Sequence, residues 1–258
     1  MNVLRERHEH GVELLRIDRP AHRNALDSST LRQLVLALTE LSEDPALRVL
    51  ILSTTSVDAF CAGADVTEPL DTESRMARME AFAELYYRLE HVPVPTIAVC
   101  VGACVGAGAE LVAGCDLRVA GDNLKVAWAG ARLGVPVGPA RLTQLVGLSR
   151  AKELVYTGRP VGATEAASYG LVHRVTPADQ TETAAVELAD LVKRQSSDGV
   201  RDLKQMFRHL EHTSERIAYE NERLLDFQRH GGPAPRLIPL PDPYKTLARP
   251  SVVNRSHR

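Results

Sequence analysis

The sequence predicts an α/β protein whose core is a largely parallel β-sheet. Short β-branched apolar runs alternate with helical patterns along the N-terminal half of the 258-residue chain. This alternation is typical of parallel strands joined by helical crossovers. One apolar run, residues 96–101, leads into a glycine-rich stretch over residues 103–116 that turns and becomes helical. We expect the functional groups to lie where this strand ends.

Hydrophobic periodicity places the other elements in order. The leucine spacing predicts an amphipathic helix over residues 29–43, with Ser28 or Ser29 as its N-cap. A loop over residues 54–69 and a second amphipathic helix that ends before Pro93 follow it. The predicted strands cover residues 12–17, 48–53, 96–101, 116–120, 123–127 and 171–175.

Composition divides the chain into three parts. Residues 1–195 are predicted to form the α/β core, and residues 196–229 a C-terminal helical region. Residues 230–258 contain proline-rich segments that cannot form a regular helix, so we expect an extended arm there. No internal repeat is visible.

Overall charge and hydropathy exclude several classes of protein. The net charge of −2 gives no electrostatic reason to expect nucleic acid or an anionic membrane as a partner. No run approaches the roughly 18 apolar residues of a membrane span, and the N-terminus lacks a signal-peptide core, so a cytoplasmic location is expected. The four cysteines form no CxxC pair, so neither disulfides nor a metal site is expected.

The glycine-rich turn carries the clearest chemical signal. Gly106 and Gly108 allow a tight turn and a close approach, and the first N–H groups of the following helix lack intrahelical partners. Such donors stabilise an oxyanion, and Glu110 on the first helical turn is placed for proton exchange. The alternative is that these glycines only pack the helix on the sheet and that Glu110 is an N-terminal helix charge. A second small-residue segment, residues 60–65, would expose further amides at the same sheet edge.

Four segments resemble the crotonase (enoyl-CoA hydratase/isomerase) superfamily, and they occur in family order. They are Arg19-Pro-Ala-His-Arg-Asn-Ala-Leu26, Ala59-Phe-Cys-Ala-Gly-Ala-Asp65, residues 95–117 and residues 156–175. The resemblance covers about residues 10–215 and implies a spiral of ββα units with a helical C-terminal region, assembled as a homotrimer or a dimer of trimers. It also implies an enzyme of fatty acid metabolism that binds acyl-CoA, with coenzyme A present only as part of the substrate and with no other cofactor.

The same resemblance implies roles for particular residues. The backbone N–H groups of Ala64 and Ala107 would form an oxyanion hole for the thioester carbonyl, although the family usually has glycine in the place of Ala107. Glu110 would transfer protons. Arg23 would pair with a phosphate of coenzyme A, or is a solvated loop arginine. The residues that would line the coenzyme A site, largely through main chain, are Ala25, Ala62, Asp65 and Val66.

One departure from the family pattern concerns the second glutamate of typical hydratases. Alignment puts Gly130 at its position, and residues 125–138 contain no carboxylate. Losing one general acid or base costs about 10²–10⁴-fold in rate. Gly130 is also expected to leave room for a larger acyl chain, with Trp128, Leu133 and Val135 as walls, unless these three are ordinary core residues.

The sequence therefore predicts an enoyl-CoA hydratase that works with a single glutamate. One alternative is an enoyl-CoA isomerase or another reaction of the crotonase type. Another is a non-catalytic acyl-CoA-binding protein that retains the fold. RNA binding would need a lysine-rich helix that this sequence lacks.

Overall fold

The computed structural model describes residues 1–232, so almost all of the predicted arm over residues 230–258 lies outside the described residues. Strands β1 to β10 are Val3–Arg7, Val12–Ile17, Val49–Thr54, Ala59–Cys61, Thr96–Cys100, Ala103–Val105, Leu117–Gly121, Lys125–Ala127, Val161–Gly162 and Arg174–Thr176. Helices α1 to α9 are Ser28–Glu43, Thr72–His91, Ala107–Gly114, Pro139–Val146, Leu148–Thr157, Ala163–Ser168, Thr181–Lys193, Ser197–Leu210 and Thr213–Arg229. The prediction of an α/β protein is confirmed.

The strands form two sheets rather than the single sheet that the alternation of elements suggested. The larger sheet has the order β1-β2-β3-β5-β7-β10, and only β1 runs antiparallel to its neighbour. The smaller sheet has the order β4-β6-β8-β9, in which β4, β6 and β8 are parallel. From β3 to β8, each pair of successive strands has one strand in either sheet and is followed by a helix, as in β3-β4-α2 and β5-β6-α3. This is the spiral of ββα units that the resemblance implied.

Gly102 separates β5, which corresponds to the predicted strand over residues 96–101, from β6, which lies in the stretch predicted to be a glycine-rich turn. Its φ of +53° lies in the left-handed region, and an added Cβ would lie 2.0 Å from the carbonyl oxygen of Asp58. The chain bends there between β5 in the larger sheet and β6 in the smaller one. Strand β4 lies inside the predicted loop over residues 54–69. Three-residue strands such as β4 and β6 are too short to give a periodic signal.

Helix α1 begins where the periodicity placed it, but its cap is different. The side chain of Asp27 accepts a hydrogen bond from Thr30 N at 2.7 Å, so Asp27 is the N-cap and the expected caps Ser28 and Ser29 are the first two helical residues. An aspartate before two serines is an equally good cap by residue type. The core lies between the sheets and helices α1, α2 and α7, and Leu14, Leu50 and Ile97 in its centre are fully buried.

The C-terminal helices α8 and α9 pack back on the α/β core. Lys204 of α8 donates from Nζ to Val94 O and to Asp116 Oδ2, both at 2.8 Å. Helix α9 packs against α2 and α4 and buries Ile217, Glu220 and Leu224. The C-terminal helical region is therefore confirmed, whereas the division at residues 195 and 229 into separate parts stays a prediction.

Two properties of residues 1–232 bear on location and on metals. No helix in this range combines the length and the apolar character that a membrane crossing requires. All four cysteines are buried free thiols, and burial raises the pKa of Cys61 to about 12. Across the same residues, no group of three or more histidine, cysteine or acidic side chains is arranged to hold a metal ion. The cytoplasmic location stays a prediction.

Candidate active site

Strands β4 and β6 bring together the two small-residue segments that the sequence analysis linked. They pair in parallel, with Ala59 opposite Ala103 and Cys61 opposite Cys104, in the smaller sheet rather than at the edge of the main one. Gly108 in α3 allows the helix to press on β4, since an added Cβ would lie 2.2 Å from the carbonyl oxygen of Cys61. The segments that follow β4 and β6 are thus held side by side.

The amides of Ala64 and Ala107 lie at this junction. An added Cβ on Gly63, the residue before Ala64, would lie 3.9 Å from Ala107 N. Ala64 forms an isolated parallel bridge with Leu26, and Ala107 is the first residue of α3. Neither N–H group has an acceptor among the residues that the structure describes.

Gly106 supplies the unusual backbone conformation that starts α3. Its φ is +54°, whereas Ala107 is absent from the residues with positive φ. Alanine is therefore compatible with an amide donor at residue 107, where the family usually has glycine. Two unpartnered N–H groups beside the positive end of a helix can stabilise a negatively charged oxygen.

Glu110 is buried one helical turn after Ala107. Its side chain is 0% exposed, and Oε2 accepts a hydrogen bond from Arg141 Nη1 at 3.0 Å. The other oxygen, Oε1, has no partner in residues 1–232. The pKa of Glu110 is raised to about 8: burial and then the nearby carboxylate of Glu220 raise it, whereas Arg141 and the indole N–H of Trp128 lower it. A carboxyl group with such a pKa exchanges protons near neutral pH.

Arg141 and Glu220 complete a buried charged cluster around Glu110. Arg141 Nη1 also donates to Glu220 Oε1 at 2.9 Å, and its guanidinium lies over the ring of Tyr86 at 4.6 Å. The second oxygen of Glu220 accepts from the backbone N–H groups of Gly138 at 3.0 Å and Ala140 at 2.8 Å. Sequence analysis missed both residues, because Arg141 and Glu220 lie on different helices and 79 positions apart.

Comparison with known proteins decides the family. Residues 7–230 match the family model described as enoyl-CoA hydratase/isomerase. The chain belongs to the enoyl-CoA hydratase/isomerase family. This confirms the resemblance and the prediction of an enzyme of this family.

Relatives from several bacteria agree with this assignment. A probable enoyl-CoA hydratase, echA8, of Mycobacterium tuberculosis is 36% identical over 197 residues, which is 75% of this chain and 76% of that protein. The 2,3-dehydroadipyl-CoA hydratase of Escherichia coli is 34% identical over 83% of this chain and 85% of its own length. A crystal structure of an enoyl-CoA hydratase from Bacillus anthracis superposes with a TM-score of 0.77 at 30% identity, covering 91% of this chain and 98% of that one.

At the predicted coenzyme A site, Ala62 and Ala25 form hydrogen bonds through main-chain groups. Ala62 N donates to the carbonyl oxygen of Arg23 at 3.0 Å, and Ala25 O accepts from Arg19 Nη1 at 3.0 Å. The side chain of Arg23 is exposed on a residue with a φ of +53°, and Val66 is 70% exposed. Their exposure leaves both side chains accessible to a ligand.

Asp65 has a structural role that the sequence did not indicate. Its carboxylate accepts from Thr67 Oγ1 at 2.6 Å and from Arg19 Nη1 at 2.7 Å, and its carbonyl oxygen accepts from Arg78 Nη1 at 2.7 Å. The hydrogen bonds from Thr67 and Arg19 lower the pKa of Asp65 to about 2. The backbone N–H of Asp65 also donates to Leu26 O at 2.9 Å, so both the side chain and the backbone of Asp65 are hydrogen-bonded within the protein.

The space expected at Gly130 is filled. An added Cβ there would lie 2.9 Å from Val135 O and 3.0 Å from Val137 Cγ1, so the expectation that Gly130 leaves room for a larger acyl chain is wrong. The chain folds back on itself after the turn over residues 130–133, which brings Val135 and Val137 onto Gly130. No feature of local sequence shows this return.

Trp128, which was expected to be a wall of the acyl-chain site, lies beside Glu110. It is buried, and an added Cβ on Gly138 would contact both Trp128 Cδ1 at 2.9 Å and Glu110 Oε1 at 3.4 Å. A cavity of about 680 Å³ is lined by residues that include both chain neighbours of Gly138, Val137 and Pro139. Its lining is mainly apolar and excludes Trp128, Gly130 and Leu133, and the lining residues include Val135, Pro136, Val137, Val155, Tyr156 and Glu220.

Proposed function

We propose that the protein binds acyl-CoA thioesters, polarises the thioester carbonyl with the amides of Ala64 and Ala107, and uses Glu110 as its acid/base group. One observation carries the proposal. Glu110 is fully buried three residues after Ala107 on the same helix, and its Oε1 has no partner in the described part of the chain. A buried carboxyl oxygen without a partner is costly unless a ligand or water uses it.

The nominal reaction is hydration of a 2-enoyl-CoA. Two hydrogen bonds to the carbonyl oxygen draw electron density from the double bond and make the β-carbon electrophilic. Glu110 removes a proton from water as the oxygen bonds to the β-carbon, and the enolate so formed takes one proton at the α-carbon. The product is a 3-hydroxyacyl-CoA, and the carboxylate is regenerated if the same proton is delivered.

Isomerisation of a 3-enoyl-CoA is the second candidate, and the state of Glu220 favours it. Both oxygens of Glu220 are occupied by Arg141 and by two backbone N–H groups, so Glu220 does not replace the missing second glutamate as a proton-transfer group. A single carboxylate suffices for isomerisation, because it removes a proton from C2 and returns it at C4 of the same dienolate.

The test compares two substrates with two proteins. Loss of the conjugated-thioester absorbance of a short 2-enoyl-CoA reports hydration, and its appearance from a 3-enoyl-CoA reports isomerisation. We expect wild type to turn over at least one substrate and Glu110→Gln to lose about 10²–10⁴-fold in kcat with little change in affinity. Unchanged turnover in Glu110→Gln would refute the role of Glu110. Tight binding without turnover of either substrate would favour the non-catalytic acyl-CoA-binding alternative.

We also propose assembly as a homotrimer or a dimer of trimers. An apolar stripe on α8 supports this proposal, since Leu203, Phe207 and Leu210 lie at helical spacing and are 52%, 63% and 69% exposed in the single chain. Exposed apolar faces of this kind are typical of contact surfaces between proteins. Light scattering of the purified protein measures the mass, and a monomer would contradict the proposal.

A further inference from the structure

The two oxygens of Glu110 are not equivalent. Oε2 accepts from Arg141 Nη1 at 3.0 Å, whereas Oε1 has no partner among residues 1–232. Oε1 faces Trp128 and Gly138, because an added Cβ on Gly138 would contact both Oε1 and the indole. The arginine therefore determines which oxygen remains available.

Arg141 is in turn held from the opposite side by Glu220. The same nitrogen that binds Glu110 donates to Glu220 Oε1 at 2.9 Å, and all three side chains are buried. Glu220 Oε2 accepts the N–H groups of Gly138 and Ala140, at the start of α4, the helix that carries Arg141. Glu220 thus fixes both the arginine and the helix from which the arginine extends.

This cluster is expensive to bury, which argues against its being incidental. Two carboxylates share one guanidinium, so the cluster has an excess negative charge when both are ionised. Removing charged groups from water is costly for each ion, and a shared partner only partly offsets this cost. An apolar trio would fill the same space without such a cost.

We propose that Arg141 and Glu220 are positioning residues for Glu110, so that Arg141 holds Oε2 and leaves Oε1 to exchange protons with the substrate, while Glu220 anchors Arg141 from the C-terminal helix α9. The inference rests on the proposed role of Glu110 in acyl-CoA chemistry. It adds that α9, through Glu220, helps to set the pH at which Glu110 ionises.

The charged and titratable groups around Glu110 fix the direction of the expected pH effects. They are Arg141 from α4, Glu220 from α9 and Tyr86 from α2, and the indole N–H of Trp128 is a neutral donor beside them. Burial and then the charge of Glu220 raise the pKa of Glu110, and Arg141 lowers it. Neutralising Glu220 must therefore lower the pKa of Glu110, and neutralising Arg141 must raise it.

The first experiment measures kcat/KM against pH, which reports ionisations in the free enzyme. If Glu110 must be ionised to accept a proton, activity rises with pH through its pKa. We expect Glu220→Gln to move this rise to lower pH by about 1 unit or more, and Arg141→Gln to move it to higher pH. Arg141→Gln should also lower kcat by roughly 10²-fold, because Glu110 loses its fixed orientation.

Glu13→Gln is the matched control. Glu13 is also buried and is also bound by arginines, Arg5 at 2.9 Å and Arg7 at 2.6 Å, but it lies on β2. Its substitution costs stability without touching Glu110, so its pH profile should superpose on that of wild type. A Glu220→Gln profile that also superposes on wild type overturns the proposal, and so does a shift to higher pH.

A second measurement does not depend on turnover. Infrared spectra of the protein with ¹³C-labelled glutamate follow the protonated carboxyl band with pH, and the Glu110→Gln difference assigns that band to Glu110. We expect the band to disappear at lower pH in Glu220→Gln than in wild type. If Glu110→Gln retains full turnover, the proposed function fails. If Glu110→Gln is inactive but the Glu110 band titrates identically in Glu220→Gln and wild type, only the positioning proposal fails.

Discussion

Helix α3 contacts β4 at Gly108, so replacing Gly108 by alanine perturbs the junction that carries the Ala64 and Ala107 amides. The added Cβ would lie 2.2 Å from Cys61 O and 3.0 Å from Cys61 Cβ. Both neighbours belong to a strand of the smaller sheet, and the closer atom is backbone, so no flexible side chain can move aside. Since real Cβ atoms essentially never approach below 3.0 Å, helix and strand must separate by at least 0.8 Å, the difference between 3.0 and 2.2 Å.

This separation has consequences for activity and for stability. A misplacement of about 1 Å at a reacting centre costs roughly 10²-fold in rate, and overpacking a tight contact costs about 1–3 kcal/mol in the free energy of unfolding. We therefore expect Gly108→Ala to remain folded but to lose about 10²-fold in kcat. The assays are turnover of the preferred enoyl-CoA and denaturant unfolding.

Gly199→Ala is the matched control for this substitution. Gly199 also lies in the first turn of a helix, but its added Cβ would contact only Ser196 at an ordinary 3.5 Å. Alanine there should leave kcat unchanged and raise stability by up to about 1 kcal/mol, since glycine is the poorer helix former. Wild-type turnover in Gly108→Ala would refute the argument that this close contact sets the spacing of the two amides.

Three further substitutions test the surroundings of the site. Gly130→Glu should lower stability without raising hydration, because its Cβ would lie 2.9 Å from Val135 O; a large gain in turnover would show that the space is available after all. Asp65→Asn should destabilise the protein above about pH 4, because the folded-state pKa of Asp65 is lowered to about 2 from an ordinary 3.8. The difference from wild type should shrink as the pH falls through about 2, and an undiminished difference in unfolding free energy below that pH would contradict this assignment. Arg23→Ala should raise KM for acyl-CoA about two- to five-fold, as expected for an exposed ion pair, with kcat unchanged; a KM equal to that of wild type would assign Arg23 to solvent.

Long periodic elements were predictable from sequence, and short ones were not. Strand β2 has the predicted bounds of residues 12–17, and α1 begins within one residue of its prediction. Strands β4 and β6 have three residues each, and they escaped notice because pairing across the sheet defines them rather than their own pattern. The resemblance supplied the spiral that local pattern alone did not.

The residues of the candidate site also divide into those that the sequence predicted and those that it did not. Glu110, Ala64 and Ala107 were predicted, because each lies in a short sequence motif that resembles the family. Arg141 and Glu220 were not, because they act through contacts between α3, α4 and α9 that only the folded chain creates. The filled space at Gly130 was missed for the same physical reason.

The central claim is that two amides and a single glutamate stabilise an enolate, and hydrogen exchange at the α-carbon of a saturated acyl-CoA tests it most directly. This exchange needs only the oxyanion hole and a base, so it is independent of which double-bond reaction the protein performs. With wild type in D₂O, we expect deuterium to enter the α-position of butyryl-CoA, as measured by mass spectrometry, and Glu110→Gln to bind the same thioester without exchange. Tight binding with no exchange by wild type, or equal exchange by Glu110→Gln, would contradict the account.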